Sequence, residues 1–97
     1  MASGRIPFEV WLSERDMATR QVVRARLERV RSGLLGDTKH LDDGVYELRI
    51  FYGSGLRVYF GKSGNRVVVL LCAGDKSTQK SDIKFARKYW NDWKEHE

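Results

Sequence analysis

Apolar positions along the chain change period twice, from helical spacing to strict alternation and back. Phe8, Trp11 and Leu12 stand at i, i+3 and i+4 behind Pro7, a residue suited to the first helical position. Ser13-Glu14-Arg15-Asp16 resembles a capping box with Ser13 as N-cap, which predicts a break and then a longer helix to about Ser32. In that second helix Val23, Leu27, Val30 and Leu34 step by four, three and four and make one apolar stripe. Arg20, Arg24, Arg26, Arg29 and Arg31 fill the other faces, and Gly33 is placed to end the helix. The two helices are expected to pair as a hairpin.

Gly36 to Gly44, with Asp37, Asp42 and Asp43, reads as a loop. From Val45 the period becomes two: Tyr46, Leu48 and Ile50 face one way, Glu47 and Arg49 the other. After a Gly53-Ser54-Gly55 turn, Leu56, Val58 and Phe60 face inward, with Arg57 and Tyr59 outward. A second turn over Gly61 to Asn65 leads to Arg66 to Ala73, apolar on both faces after Arg66, as in a central strand covered on both sides. Short turns make these three strands an antiparallel meander. Ser77 or Thr78 can cap a last helix whose Ile83, Ala86, Trp90 and Trp93 form an apolar face. The fold class is therefore α+β: an N-terminal two-helix hairpin packed on a small antiparallel β-sheet, with a C-terminal helix.

The 97 residues form a single domain, 1–97, without linker, repeat or low-complexity tract. A composition that is 41% hydrophobic and 32% charged excludes an intrinsically disordered chain. The longest apolar run, Val67 to Ala73, is seven residues, far short of a membrane span. The stretch from Met1 to Arg5 has no apolar signal core behind it, and a single cysteine suits a reducing compartment, so a cytoplasmic protein without membrane contact is expected.

Charge adds a functional pointer. The formal net charge is +5, and residues 45–76 hold +3 of it: Arg49, Arg57, Lys62, Arg66 and Lys76 against Glu47 and Asp75. Alternation puts Arg49 and Arg57 on one face of adjacent strands, and Lys76 lies just past the next strand. Guanidinium groups match phosphate oxygens bidentately, so this face suits a polyanion. With RNA bound, the 2′-hydroxyl could attack the adjacent phosphate while the cations stabilise the charge that develops. The alternative is an ordinary solvated strand face, with Glu47 paired to a neighbouring Arg.

Other chemistry is sparser. His40 lies in the loop entering the first strand, within reach of the basic face, and His96 near the C-terminus. Tyr46, Tyr52 and Tyr59 offer phenols, with Tyr46 on the core-facing set. One Cys and two separated His give no zinc spacing, and no acidic run has calcium-loop form, so neither metal nor cofactor is expected. Cys72, in an apolar strand, reads as a small buried hydrophobe. Phe85, Tyr89, Trp90 and Trp93, flanked by Lys84, Arg87, Lys88 and Lys94, make an aromatic stripe whose uncovered part would suit a protein partner.

Four segments together resemble the toxins of the RelE/ParE superfamily, and within it the HigB-like addiction module killer proteins. They are Gly36-Asp37-Thr38-Lys39; Gly44-Val45-Tyr46-Glu47-Leu48-Arg49-Ile50; Gly55-Leu56-Arg57-Val58-Tyr59-Phe60; and Leu70-Leu71-Cys72-Ala73-Gly74-Asp75-Lys76-Ser77-Thr78-Gln79. The resemblance implies the toxin of a type II toxin–antitoxin pair: a ribosome-dependent, metal-independent mRNA endoribonuclease that inhibits translation. Its partners would be the ribosome, mRNA and a cognate antitoxin of helix-turn-helix type. Arg49 stands where related ribonucleases carry a strand lysine, Arg57 matches their arginine on the next strand, and Lys76 takes the place of an arginine just after the last strand. Glu47, Asp75, His40 and Tyr59 are then candidates for moving protons, and Lys39, Tyr59 and Lys62 extend the RNA-contacting set of Arg49, Arg57 and Lys76. The resemblance also implies a first strand, for which Gly4 to Ile6 are the residues present. Related enzymes carry a tyrosine near the start of the last helix, and Ser77 to Lys84 contains none. Rival readings are a ParE-type poison of DNA gyrase and a simple basic nucleic-acid-binding module.

Overall fold

The computed structural model describes residues 7–42, 44–64 and 66–95. Helix α1 (Pro7–Ser13) buries Phe8 and Leu12, two of the three residues at the predicted helical spacing. Asp16, not Ser13, stands at the N-cap position of helix α2 (Met17–Arg31). Ser13 is spent in the last turn of α1, its hydroxyl donating to the Val10 carbonyl at 2.8 Å, while Asp16 accepts from the Thr19 hydroxyl. At the other end the Gly33 N–H donates to the Val30 carbonyl at 3.0 Å and the Leu34 N–H to the Arg29 carbonyl at 2.8 Å. This crossed pair is the Schellman pattern, and it needs the left-handed φ of +92° that Gly33 supplies. The turn carries Leu34 off the stripe to an exposed position, while Val23 and Val30 are buried.

Four strands follow: β1 (Thr38–Asp42), β2 (Val45–Ile50), β3 (Leu56–Ser63) and β4 (Arg66–Asp75). All neighbours are antiparallel and the order is β1-β2-β3-β4. The predicted meander is present, with one correction. The segment expected as a loop after Gly36 contains β1, an edge strand whose only apolar side chain is Leu41. Its pairing rests on backbone hydrogen bonds, continued by the Arg49 N–H donating to the Asp37 carbonyl at 2.9 Å. Among the described residues β4 pairs with β3 alone, and helices cover it on both faces, as its apolar sequence predicts. The proposed strand over Gly4 to Ile6 lies outside the described residues.

The sheet separates two cores. On one side Phe8 and Leu12 of α1 and Val23 and Val30 of α2 pack on Leu48, Ile50, Leu56, Val58 and Phe60. On the other, helix α3 (Gln79–Glu95), entered through a 3-10 turn at Lys76–Thr78, sets Ala86 and Trp90 against Val45, Tyr59, Leu71 and Cys72. Trp90 lies so close to the sheet that a Cβ at Gly61 would stand 2.2 Å from its ring. Tyr59, expected outward, is consequently buried: alternation distinguishes two faces of a strand but not whether one of them meets water.

Candidate functional site

α3 covers only part of its side of the sheet. It packs over Val45 and Tyr59, and its first residue, Gln79, reaches Glu47. Beyond that point Arg49 and Arg57 remain, directly paired across β2 and β3. Arg49 is 37% exposed along its side chain and Arg57 14%, while Glu47 has no exposure. Arg49 and Arg57 therefore sit at the open end of a face whose other end is closed.

Glu47 holds this cluster together. Its Oε1 accepts from Arg49 Nε at 3.0 Å; its Oε2 accepts from Gln79 Nε2 at 2.9 Å and from the Tyr59 hydroxyl at 3.1 Å. Arg57 Nε lies 3.8 Å from Oε2 without a hydrogen bond, and Arg57 Nη1 donates to the Gly55 carbonyl at 3.3 Å. Burial pushes the Glu47 carboxyl upward, but the hydrogen bonds from Gln79, Arg49 and Tyr59 together outweigh it and hold the group below its ordinary value. Glu47 is thus a buried carboxylate. Burial, and then the Glu47 charge, push the Tyr59 phenol far up, so it stays a donor.

The other expected residues divide by face. Lys39 pairs with Glu47 in register and is exposed on the same face. Lys76 is exposed in the turn directly after β4, whose Gly74 pairs with Arg57. Asp75 pairs with Leu56 instead, and its carboxylate is engaged in capping: Oδ1 accepts from the Ser77 N–H at 2.9 Å and the Ser77 hydroxyl at 2.6 Å. These hydrogen bonds, the hydroxyl first, hold it below the usual carboxylate range. His40 does not reach the basic face. It pairs with Tyr46 and stacks on that ring at 4.6 Å, on the side opposite Glu47. Lys62 also leaves the set, its Nζ standing 5.1 Å from the Tyr46 ring centre. Tyr59 lies on the right face but under α3, where it touches Glu47 rather than solvent.

Gln79 was not anticipated as part of the site. It ends the Gly74–Gln79 segment, and only the long-range approach of α3 to β2 reveals its contact. Among the described residues no group of three or more His, Cys, Asp or Glu could hold a metal ion, and no helix is long and apolar enough to cross a membrane.

A small α+β domain with a paired-arginine face on its sheet is the architecture in hand. Residues 10–90 match the family described as phage-derived protein, Gp49-like, and the chain belongs to that family. It is a family commonly tied to RelE-like toxins of toxin–antitoxin systems. An uncharacterized protein of Haemophilus influenzae is 43% identical over 83 residues, covering 84% of this chain and 84% of that protein. No solved structure matches the chain.

Proposed function

We propose that this chain is the toxin of a type II toxin–antitoxin pair, a HigB-like mRNA endoribonuclease acting in the ribosome and neutralised by an antitoxin encoded with it. The observation that carries the reading is the direct pairing of Arg49 with Arg57 over a buried, ionised Glu47. Like charges facing each other across strands are unfavourable, and a phosphate between them reverses the sign of the interaction.

In the proposed reaction the scissile phosphate rests on Arg49 and Arg57. The 2′-hydroxyl oxygen attacks phosphorus as its proton passes to solvent, the bond to the 5′-oxygen breaks and that oxygen takes a proton from solvent, and a 2′,3′-cyclic phosphate and a 5′-hydroxyl result. The two guanidinium groups and Lys76 stabilise the added negative charge of the transition state. Glu47 is a positioning residue, fixing the Arg49 guanidinium through its Nε. Arg57 is fastened instead through Nη1 to Gly55.

The test is to add purified protein to ribosomes stalled on a defined mRNA and to map cut sites by primer extension, with an Arg49→Ala/Arg57→Ala double variant alongside. Cuts in the A-site codon that vanish with the variant are expected. Absence of cuts from protein that still arrests growth would overturn the ribonuclease reading and direct attention to gyrase, through a supercoiling assay.

A further inference from the structure

The turn between β2 and β3 displays aromatic side chains that no core requires. Phe51 is 86% exposed, the highest value for a large hydrophobic among the described residues, and Tyr52 beside it is 37% exposed. The turn is nonetheless well defined. The Tyr52 N–H donates to the Ile50 carbonyl at 2.9 Å and the Gly55 N–H to the Tyr52 carbonyl at 3.1 Å. Left-handed φ values of +60° at Gly53 and +87° at Gly55 permit so tight a path.

This turn adjoins the arginine pair. Phe51 follows Arg49 by two residues, about 7 Å at the rise of an extended chain. Arg57 reaches back to it, donating from Nη1 to the Gly55 carbonyl. Cations that hold a phosphate and an exposed ring two residues along are the two elements by which single-stranded nucleic acid is bound: charge for the backbone, a flat surface for the base. An acidic peptide would use the arginines but has no comparable use for the ring.

We propose that Phe51, flanked by Tyr52, is a stacking platform for an unpaired RNA base next to the phosphate held by Arg49 and Arg57. The inference rests on the reading of this face as an RNA site. Stacking tolerates every base, so the platform adds affinity and register with little sequence choice, favouring whichever base stacks most strongly.

Binding, not cleavage, tests it. A labelled hexaribonucleotide made uncleavable by 2′-O-methyl groups is titrated by fluorescence anisotropy and compared with an abasic strand of the same backbone. Wild type should bind the base-bearing strand more tightly. Phe51→Ala should weaken that binding on the order of tenfold and leave the abasic strand unchanged, with Phe51→Trp restoring it. Arg57→Ala should weaken both strands. Phe51→Ala binding like wild type, Phe51→Ala weakening both strands alike, or a wild type without preference for the base-bearing strand would each overturn the proposal. Base-selective binding that persists in protein unable to cut ribosome-bound mRNA would keep the platform and remove the ribonuclease reading.

Discussion

Arg49 and Arg57 face each other across β2 and β3, and Arg57 Nε is buried without a hydrogen-bond partner. Two cations in a non-complementary cross-strand position and a desolvated donor are both costs to the folded chain. Glu47 offsets part of them, with one oxygen on Arg49 and the other shared between Tyr59 and Gln79. A local arrangement that works against stability while the rest of the chain is consistent is what the proposed phosphate site would account for.

Arg57→Met separates those two roles. It keeps the apolar stem, removes the unpartnered Nε and relieves the repulsion from Arg49, while Glu47 retains its three hydrogen bonds. Stability in urea should stay within about 1 kcal/mol of wild type. Cleavage of ribosome-bound mRNA should fall about 100-fold or more, the scale of losing one electrostatic contact to a transition state. A folded variant that cuts at the wild-type rate would remove Arg57 from the mechanism.

Glu47 makes stability depend on acid. Its folded-state carboxyl lies below the ordinary 4.5, so its contribution is fully present above that value and is lost as pH falls through the lower folded-state value. Glu47→Gln removes the charge that compensates the arginines and should cost about 3 kcal/mol at pH 7. The gap between wild type and variant should close as the solution is acidified below pH 4.5. Asp16 and Asp75 titrate in the same direction in both proteins, so the difference isolates Glu47. Urea melts at several pH values check it; a gap of constant size would contradict the ionised state.

Helical period and strict alternation made α2, α3 and the β2–β4 meander readable in the amino-acid pattern, because each buries a regular set of side chains. β1 was not readable: with Leu41 as its one apolar residue, an edge strand held by backbone bonds looks like the Asp-rich loop around it. Alternation likewise put Arg49, Arg57, Glu47 and Tyr59 on one face. It could not say that α3 stops between Tyr59 and Arg49, which is what makes two of the four available and buries the other two. The separation of His40 from that face follows from its register with Tyr46, which could be read only once β1 was known to be a strand.

Gln79 tests whether the approach of α3 matters to the arginines. Gln79→Ala deletes the 2.9 Å hydrogen bond to Glu47 Oε2 and should raise the Glu47 carboxyl toward its ordinary value. A hydrogen bond to a charged group is worth about 1.5–3 kcal/mol, and the half-buried Gln79 belongs at the lower end. Carboxyl titration followed by NMR should show the upward movement, with Gln79→Glu failing to restore it because a second carboxylate would face the first. An unmoved titration would mean that Arg49 and Tyr59 alone set the Glu47 charge.

Gly61 tests the packing of the covered half. Any side chain there meets Trp90, whose ring would lie 2.2 Å from the new Cβ. Gly61→Ala should destabilise by about 1–3 kcal/mol as the ring is forced off the sheet, with a shift in tryptophan emission. A smaller side chain at position 90 relieves the clash, so Gly61→Ala/Trp90→Leu should recover part of the loss in a double-mutant cycle. Additive losses would show that the two residues do not share the contact.

Cys72 offers a direct probe of the same core. The thiol is 7% exposed and donates weakly to the Asp82 carbonyl at 3.5 Å. Burial, and then the charge of Asp82, push it up to about 12, so at pH 8 about one thiol in ten thousand is ionised. A disulfide reagent needs the thiolate and a path to it, and the folded chain supplies neither. Native protein should therefore react only as fast as α3 opens, while protein in urea reacts at once. Because Cys72 sits beneath α3 and Arg49 does not, Gly61→Ala should speed the native reaction, whereas Arg57→Met should leave it unchanged. Equal acceleration by both variants would mean that the arginine end and the α3 end of the sheet open as one unit.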